Sequence, residues 1–193
     1  MTKKYKTTFT AGCSLYVKPM QLTAQLYFKL KDWKQIRQEI NDNNLFFIKA
    51  TSSKLKITSE VISRIKTLND TELELLATGS FYDSKLLCWL SICRRYALIG
   101  EFATEVIREN YLAMLNNVTY GDFSRFIEDK SKYYPELLEI KDITINKARQ
   151  CIFKMMTEAE FITKDNEITP AFFSDEVKSV LEKNENKVFF PIK

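Results

Sequence analysis

Cationic and hydroxyl side chains recur at helical spacing between residues 52 and 66, and they are the residues of this sequence best suited to chemistry. At about 100° per residue on a helix, one face collects five of them: Ser52, Lys56, Ser59, Ser63 and Lys66. No acidic residue falls on that face. Lysine and serine side chains donate hydrogen bonds to phosphate oxygens, and the short serines leave room for a nucleic-acid backbone to approach. The pattern therefore predicts a phosphate-contacting helix, with an ordinary solvated surface as the alternative.

Two sets of candidate nucleic-acid contacts follow from this pattern. The first set surrounds the basic face and comprises Lys49, Ser52, Ser53, Lys54, Lys56, Ser59, Ser63 and Lys66. The second set comprises outward side chains of a later helix and a lysine in the turn after it: Lys147, Gln150, Lys154 and Lys164. For Lys164, the acidic balance of that half of the chain favours a turn that shields the core over one that touches nucleic acid.

The charge of the chain is divided unevenly along its length. Residues 1–66 carry thirteen Lys/Arg against four Asp/Glu, a balance of +9, whereas residues 67–193 carry sixteen against twenty-one, a balance of −5. A basic half joined to an acidic half indicates that one end meets a polyanion. We therefore predict a polyanion as the partner of the basic half, although a merely solvated basic surface would give the same count.

The absence of histidine limits the catalytic chemistry open to this chain. Without histidine there is no Ser–His or Cys–His nucleophile pair, no imidazole base and no His-ligated metal. The sequence also contains no glycine-rich phosphate loop and no EF-hand spacing. We therefore predict a protein that is not an enzyme and that uses no metal, no cofactor and no small-molecule substrate.

The cysteines and the hydropathy of the chain bear on its compartment. Four cysteines occur without a C-x-x-C pair, at Cys13, Cys88, Cys93 and Cys151, and reduced, buried thiols are the expected state of all four. The longest uncharged run, residues 110–121, falls short of the ~20 apolar residues that a membrane span needs. The basic start of the sequence is not followed by the apolar core of a signal peptide. These features predict a cytoplasmic protein with no membrane contact.

The stretch LLCWLSICRRYALI, residues 86–99, is apolar on every side and is predicted to form the central core helix. Arg94 and Arg95 near its end are expected to pair with Glu101 or Glu105 of the next helix, or to extend to the surface. The whole chain contains only four glycines and four prolines. Because this leaves little turn chemistry, helices are favoured over a many-stranded sheet.

The basic helix follows another helix and a short connection, which is the order of a helix-turn-helix unit. Asp32 is predicted to cap the first of these helices, residues 33–41, and the basic helix is predicted over residues 52–68. Its opposite face is apolar and is expected to make the core contact through Ile57, Val61, Ile65 and Leu68. The Asn69-Asp70 pair that follows predicts the end of a basic N-terminal domain, residues 1–70.

Residues 71–193 are predicted to form a helical C-terminal domain with a winged-helix-like end. Residues 142–159 have the pattern of an amphipathic helix, and FITKDNEIT, residues 161–169, predicts a β-hairpin with turn residues at its tip. The predicted fold class is therefore mainly α, with two small helical domains of helix-turn-helix and winged-helix character and a short β-hairpin.

A series of sequence runs, in one order and at one set of spacings, resembles the BrxA family of bacterial BREX phage-defence systems. The series begins with FTAGCSLYVKP, DWKQIRQEINDNNL and a T-S-S-x-x-K helix that ends in RIKTLNDTELELL. It continues with LLCWLSICRRYALIGEFATEVIRENYL, DFSRFIEDKSKYYPEL and ARQCIFKMMTEAEFI, so the resemblance covers nearly the whole chain. Cys13 stands where a second glycine is usual in the family, and Tyr134 stands where histidine is common. Neither departure touches the basic helix.

The resemblance implies a small, cytoplasmic, largely helical protein with winged-helix character that binds double-stranded DNA. It also implies action beside the methyltransferase, alkaline-phosphatase-like, ATPase and remaining BREX proteins in distinguishing phage DNA from host DNA. Two other hypotheses stay open. One is a protein-interaction adaptor whose acidic half docks another BREX component, and the other is a helical RNA-binding protein.

Overall fold

The computed structural model describes residues 13–181 and 185–192, and the part of the chain within these ranges is mainly helical, as predicted. Ten α-helices are present in the described ranges: α1 (Val17–Leu30), α2 (Trp33–Asp42), α3 (Thr51–Ile65), α4 (Asp70–Thr78), α5 (Phe81–Arg95), α6 (Ala97–Phe102), α7 (Glu109–Leu112), α8 (Tyr120–Ser131), α9 (Asp142–Glu158) and α10 (Asp175–Leu181). A π-helical segment, Ala103–Arg108, joins α6 to α7. None of the described helices is both long enough and apolar enough to cross a bilayer.

Helix α5 is the buried centre of the fold, in agreement with the predicted core helix. Ten of its side chains are buried, and Trp89 among them is 0% exposed. The helix begins earlier than predicted because the Ser80 hydroxyl accepts the backbone N–H of Asp83. It ends at Arg95 rather than Ile99 because Tyr96 adopts an extended backbone, and α6 starts in a new direction after it.

One apolar core runs through both halves of the sequence. Helices α1 and α3 from the basic half pack against α5, and α4 packs on both α1 and α5. The same cluster of buried residues includes Val61 and Ile65 before the Asn69-Asp70 pair and Leu86 after it. The division into domains 1–70 and 71–193 stays a prediction, and the packing shows that α3 is fixed by contacts with the other half of the chain.

The predicted β-hairpin at residues 161–169, and with it the winged-helix ending, is wrong for the described chain, which contains no β-strand. Two isolated bridges take its place in the described ranges: Ile162 with Ile168 around a tight turn, and Asn117 with Glu167. The first bridge is flanked by hydrogen bonds from the Thr163 N–H to the Glu167 carbonyl and from the Thr169 N–H to the Phe161 carbonyl, both at 2.9 Å. The pairing stops there because the N–H of Phe161 is donated back to the carbonyl of Met156 in α9, at 3.0 Å. The N–H of Ile168 points away from the turn and is donated to the carbonyl of Asn116, at 2.7 Å. Pro170 lies two residues further and has no N–H with which to extend a ladder.

The prediction of four reduced cysteines also needs correction. Cys13 and Cys151 are joined in a disulfide, with Cα atoms 4.5 Å apart. These two residues are separated by 138 positions in the sequence, so no local spacing indicated that they would meet. Cys88 and Cys93 are buried free thiols, as predicted. Burial raises the pKa of the Cys88 thiol to about 12, which keeps it protonated and unreactive.

Replacing Trp89 by alanine is expected to lower the free energy of unfolding by ~3–5 kcal/mol, because it opens a cavity at the centre of the core. The indole packs edge-on against Phe161, with ring centroids 5.5 Å apart, and its Nε1 donates to the carbonyl of Phe189 at 2.8 Å. Urea unfolding measures the loss. Trp89→Phe retains a ring but removes the hydrogen-bond donor, so its stability should lie between that of the wild type and that of Trp89→Ala. A Trp89→Ala variant as stable as the wild type would contradict the central position of Trp89.

Candidate nucleic-acid interface

Helices α2 and α3 lie side by side and antiparallel, and this pairing builds the candidate surface. The Asp32 carboxylate caps α2, as predicted, by accepting the backbone N–H groups of Lys34 and Gln35. At the other end of α2, Thr58 Oγ1 of α3 donates to Asn41 Oδ1 at 2.9 Å. The connection between the helices, residues 43–50, is longer than the three or four residues of an ordinary helix-turn-helix turn. The predicted helix order is therefore present with a longer connection.

The structure places the predicted basic face of α3 toward solvent. Ser52, Lys56 and Lys66 are exposed, while Ser59 and Ser63 are half-buried. The opposite side packs in the core as predicted, with Val61, Ile65 and Leu68 buried and Ile57 half-buried. No carboxylate interrupts this exposed face, because Glu60, the one acidic residue of α3, is only 4% exposed.

The other members of the first candidate set differ in how available they are. Lys49 and Ser53 are exposed at the start of α3. The Nζ of Lys54, in contrast, donates to the carbonyl of Asn41 at 2.6 Å, so this lysine caps the carboxyl end of α2. The Nζ of Lys66 lies 5.1 Å from the centre of the Trp33 ring, in a cation–π contact that holds the charge at the surface.

Two arginines that sequence analysis did not include flank the α3 face. Arg37 of α2 donates from Nη1 to Ser59 Oγ at 2.9 Å. Arg95, in the last turn of α5, approaches α3 from the other side, with its Nη2 3.6 Å from a carboxylate oxygen of Glu60. The helical repeat of α2 could have suggested Arg37, which follows Trp33 by one turn. Nothing local marks Arg95, because it comes from the other half of the chain.

The carboxylate of Glu60 is the centre of a buried polar network. It accepts hydrogen bonds from Arg64 Nε at 2.7 Å and from the Tyr96 hydroxyl at 2.6 Å. Burial opposes ionisation of Glu60, but the nearby Arg64 charge and the hydrogen bonds outweigh it and hold the pKa of Glu60 below its usual 4.5. Burial, together with the carboxylate, raises the pKa of Tyr96 to about 12. The network therefore contains an ionised Glu60 and a protonated Tyr96 at neutral pH.

The partners expected for Arg94 and Arg95 were wrong. Arg94 forms a two-pronged hydrogen-bonded pair with Glu72 of α4, at 2.6 and 2.7 Å. Glu101 and Glu105, the expected partners, instead receive Lys130 of α8 at 2.7 and 2.5 Å. The extended backbone at Tyr96 accounts for the difference, because α6 leaves α5 in a new direction and the next-turn geometry of one continuous helix is lost.

The second candidate set lies on a different element. Lys147, Gln150 and Lys154 are exposed on α9, and Lys164 is exposed in the turn after it. The charge of Lys154 is partly offset by Glu158, 3.7 Å away on the next helical turn. Within the described ranges, no arginine or lysine donates a hydrogen bond to the side chains of this second set, as Arg37 does to Ser59 of the first set.

The helical fold and the exposed basic face define a class: a small all-helical protein that presents a cationic, hydroxyl-bearing helix to solvent. Residues 3–185 match the family described as BrxA, and the chain therefore belongs to the BrxA family.

Individual relatives are consistent with this assignment. A BREX protein BrxA from Bacillus cereus (strain H3081.97) is 25% identical over 158 residues, covering 82% of this chain and 78% of the relative. A BREX protein BrxA from Paramagnetospirillum magneticum (strain ATCC 700264 / AMB-1) is 21% identical, covering 94% of this chain and 92% of the relative. The crystal structure of an uncharacterized protein from Magnetospirillum magneticum shares the fold, with a TM-score of 0.79 at 21% identity over 97% of this chain and 96% of that one.

Replacing Glu60 by glutamine is expected to lower the free energy of unfolding by ~3–5 kcal/mol at pH 7, because it leaves the buried Arg64 without its carboxylate. The folded-state pKa of Glu60 lies below 4.5, so its charge stabilises the fold fully above that pH, and the contribution is lost as the pH falls through the lower, folded-state pKa. Urea unfolding from pH 7 downward should therefore show the wild-type advantage shrinking in acid. Glu74→Gln, at an exposed position of α4, should match the wild type throughout; equal stability of Glu60→Gln would contradict the network.

Proposed function

We propose that this protein is a component of a BREX anti-phage system that binds double-stranded DNA through the exposed face of α3. The observation that carries the proposal is the separation of charge on that helix. Lys56 and Lys66 face solvent beside half-buried serines, whereas the acidic side chain of the same helix is buried. This arrangement favours phosphate contacts, since an exposed carboxylate within the face would repel the backbone.

Several features of the family and the surface support a binding role in this system. The relatives are named BREX proteins, which makes the other proteins of a BREX system the expected partners. Lysine, arginine and serine side chains suffice for sequence-independent attraction to a phosphate backbone. Under this proposal the protein acts in the cytoplasm and contributes DNA contact to phage resistance, while catalysis belongs to its partners.

A protein-interaction adaptor is the second candidate function. It is favoured by large apolar side chains that are exposed on the C-terminal half, among them Tyr133 (80%), Leu138 (74%) and Ile143 (76%). Exposed apolar groups of this size are typical of protein contact surfaces when they are contiguous. The two candidates are distinguished by salt: DNA binding through phosphates weakens steeply as salt rises, whereas apolar docking does not.

The double substitution Lys56→Glu with Lys66→Glu should weaken duplex binding for all sequences and reduce the slope of log K against log salt by about 2 units, because each lost phosphate contact removes about one. Both side chains are exposed, and loss of the Lys66–Trp33 cation–π contact should lower the melting temperature only slightly. The measurement is fluorescence anisotropy with a labelled duplex over a series of salt concentrations, beside single-stranded DNA and RNA of the same sequence.

A charge-matched control is Lys141→Glu with Lys178→Glu, which makes the same change in net charge at exposed positions of the acidic half. This control should retain most of the wild-type affinity. A folded Lys56/Lys66 variant that binds the duplex as tightly as the wild type would contradict the proposal. Loss of binding in Lys147→Glu with Lys154→Glu instead would transfer the site to α9, and preference for RNA would favour the RNA-binding hypothesis.

A further inference from the structure

A pocket of about 360 Å³ opens between α3 and the last turn of α5. Its walls are formed by Leu55, Lys56, Ser59, Glu60, Ser63 and Arg95. The α3 residues of this set recur at intervals of three and four, so they form one strip along the helix. Arg95 forms the facing wall, which means that the two halves of the sequence both contribute to the pocket.

The Arg95 guanidinium in the pocket wall is only partly engaged by the protein itself, through Glu60 and Tyr96. The Nε of Arg95 is buried and has no hydrogen-bond partner. Its Nη2 lies 3.6 Å from Glu60, which is a charge contact at a distance longer than a good hydrogen bond. Ser59 and Ser63 lie one helical turn apart at the pocket wall, and Lys56 is exposed at its rim.

The carboxylate in the wall does not exclude an anion. Glu60 is already engaged by Arg64 at 2.7 Å and by the Tyr96 hydroxyl at 2.6 Å, and it is 4% exposed. The charges in and next to the pocket are therefore those of Lys56, Arg64, Arg95 and Arg37, which donates to Ser59 in the wall, against one carboxylate. The remaining positive charge and the unused donors suit an oxyanion with several acceptor oxygens.

The rim of the pocket also has an apolar side. Leu55 is 49% exposed at this position. An isolated phosphate ion gains nothing from an apolar neighbour, whereas the sugar next to a phosphodiester offers C–H groups that pack against one. The pocket thus combines contacts for a phosphate and for the sugar attached to it.

We propose that this pocket binds one phosphodiester of a DNA strand, with Arg95 and Lys56 on the phosphate oxygens, Ser59 and Ser63 donating to them, and Leu55 against the sugar. The inference rests on the proposed function. It deepens that function by assigning a specific phosphate contact to Arg95, a residue outside the basic half of the chain.

The test is duplex binding by Arg95→Gln in the full chain, measured over a salt series. We expect a loss of about tenfold or more in affinity, the scale of one charged hydrogen-bonded contact, and a salt slope lower by about one unit. Arg108→Gln is the matched control, because the Arg108 side chain is 25% exposed against 27% for Arg95, and it faces Glu109 at 3.8 Å. Its Nε is likewise buried without a partner, yet it does not line this pocket, so its affinity should be unchanged.

Ser63→Asp provides a second variant that leaves the Arg95–Glu60 contact intact. It adds a carboxylate to the half-buried wall of the pocket, and it should weaken duplex binding at least as much as Arg95→Gln. If Arg95→Gln melts at a lower temperature than the wild type, Ser63→Asp decides the outcome. A folded Ser63→Asp variant with wild-type affinity and salt slope would overturn the pocket.

Two further results separate this inference from the proposed function. If Lys56→Glu with Lys66→Glu abolishes duplex binding while Arg95→Gln and Ser63→Asp do not affect it, α3 binds DNA but the pocket does not. The second result comes from melting curves with added inorganic phosphate at constant ionic strength. If phosphate raises the melting temperature of the wild type but not of Arg95→Gln, and duplex affinity is the same in both, the pocket is a site for free anions and its assignment to DNA is wrong.

Discussion

Burial of the Glu60 carboxylate against α5 determines which side of α3 faces solvent. An ionised carboxylate removed from water requires compensating charges and donors. These come from three side chains: Arg64 on the same helix, and Arg95 and Tyr96 at the end of α5. Rotating α3 would break these contacts and bring the apolar residues of its inner side into water. The exposed lysine and serine face is therefore a consequence of how the opposite side is held.

The same network extends from α3 to the far end of the sequence. Arg64 Nη1 donates to the backbone carbonyl of Ser14 at 2.7 Å, and the Ser14 hydroxyl donates to Glu158 of α9 at 2.9 Å. The disulfide of Cys13 to Cys151 fastens the same two segments. Residues 13–15 thus bridge α3 and α9, and the candidate interface is supported by parts of the chain distant from it in sequence. This arrangement favours a rigid surface, which lowers the entropic cost of binding.

Local patterns in the sequence were sufficient to predict the helical character of the chain, but not which residues pair across the fold. Asp32 as a cap and Trp89 as a core residue were predictable, because capping and continuous apolar character act within a few residues. The pairing of Arg95 with Glu60 was not, because it depends on the change of direction after α5. The hairpin at residues 161–169 is reduced to a single bridge for a local reason, because the N–H of Phe161 is donated to Met156 at the end of α9. Long-range contacts decide pairings such as that of Arg95 with Glu60, and a single sequence contains no direct record of them.

The most direct measurement of the central claim is hydroxyl-radical footprinting of the protein with and without duplex DNA. Four exposed apolar side chains serve as reporters: Phe47 and Leu55 near α3, and Met114 and Ile143 in the other half. The account predicts that the duplex protects Leu55 strongly, and Phe47 to a lesser degree, while Met114 and Ile143 are oxidised as in the free protein. Protection of Ile143 or Met114 with Leu55 unchanged would contradict the claim that α3 is the DNA-contacting helix.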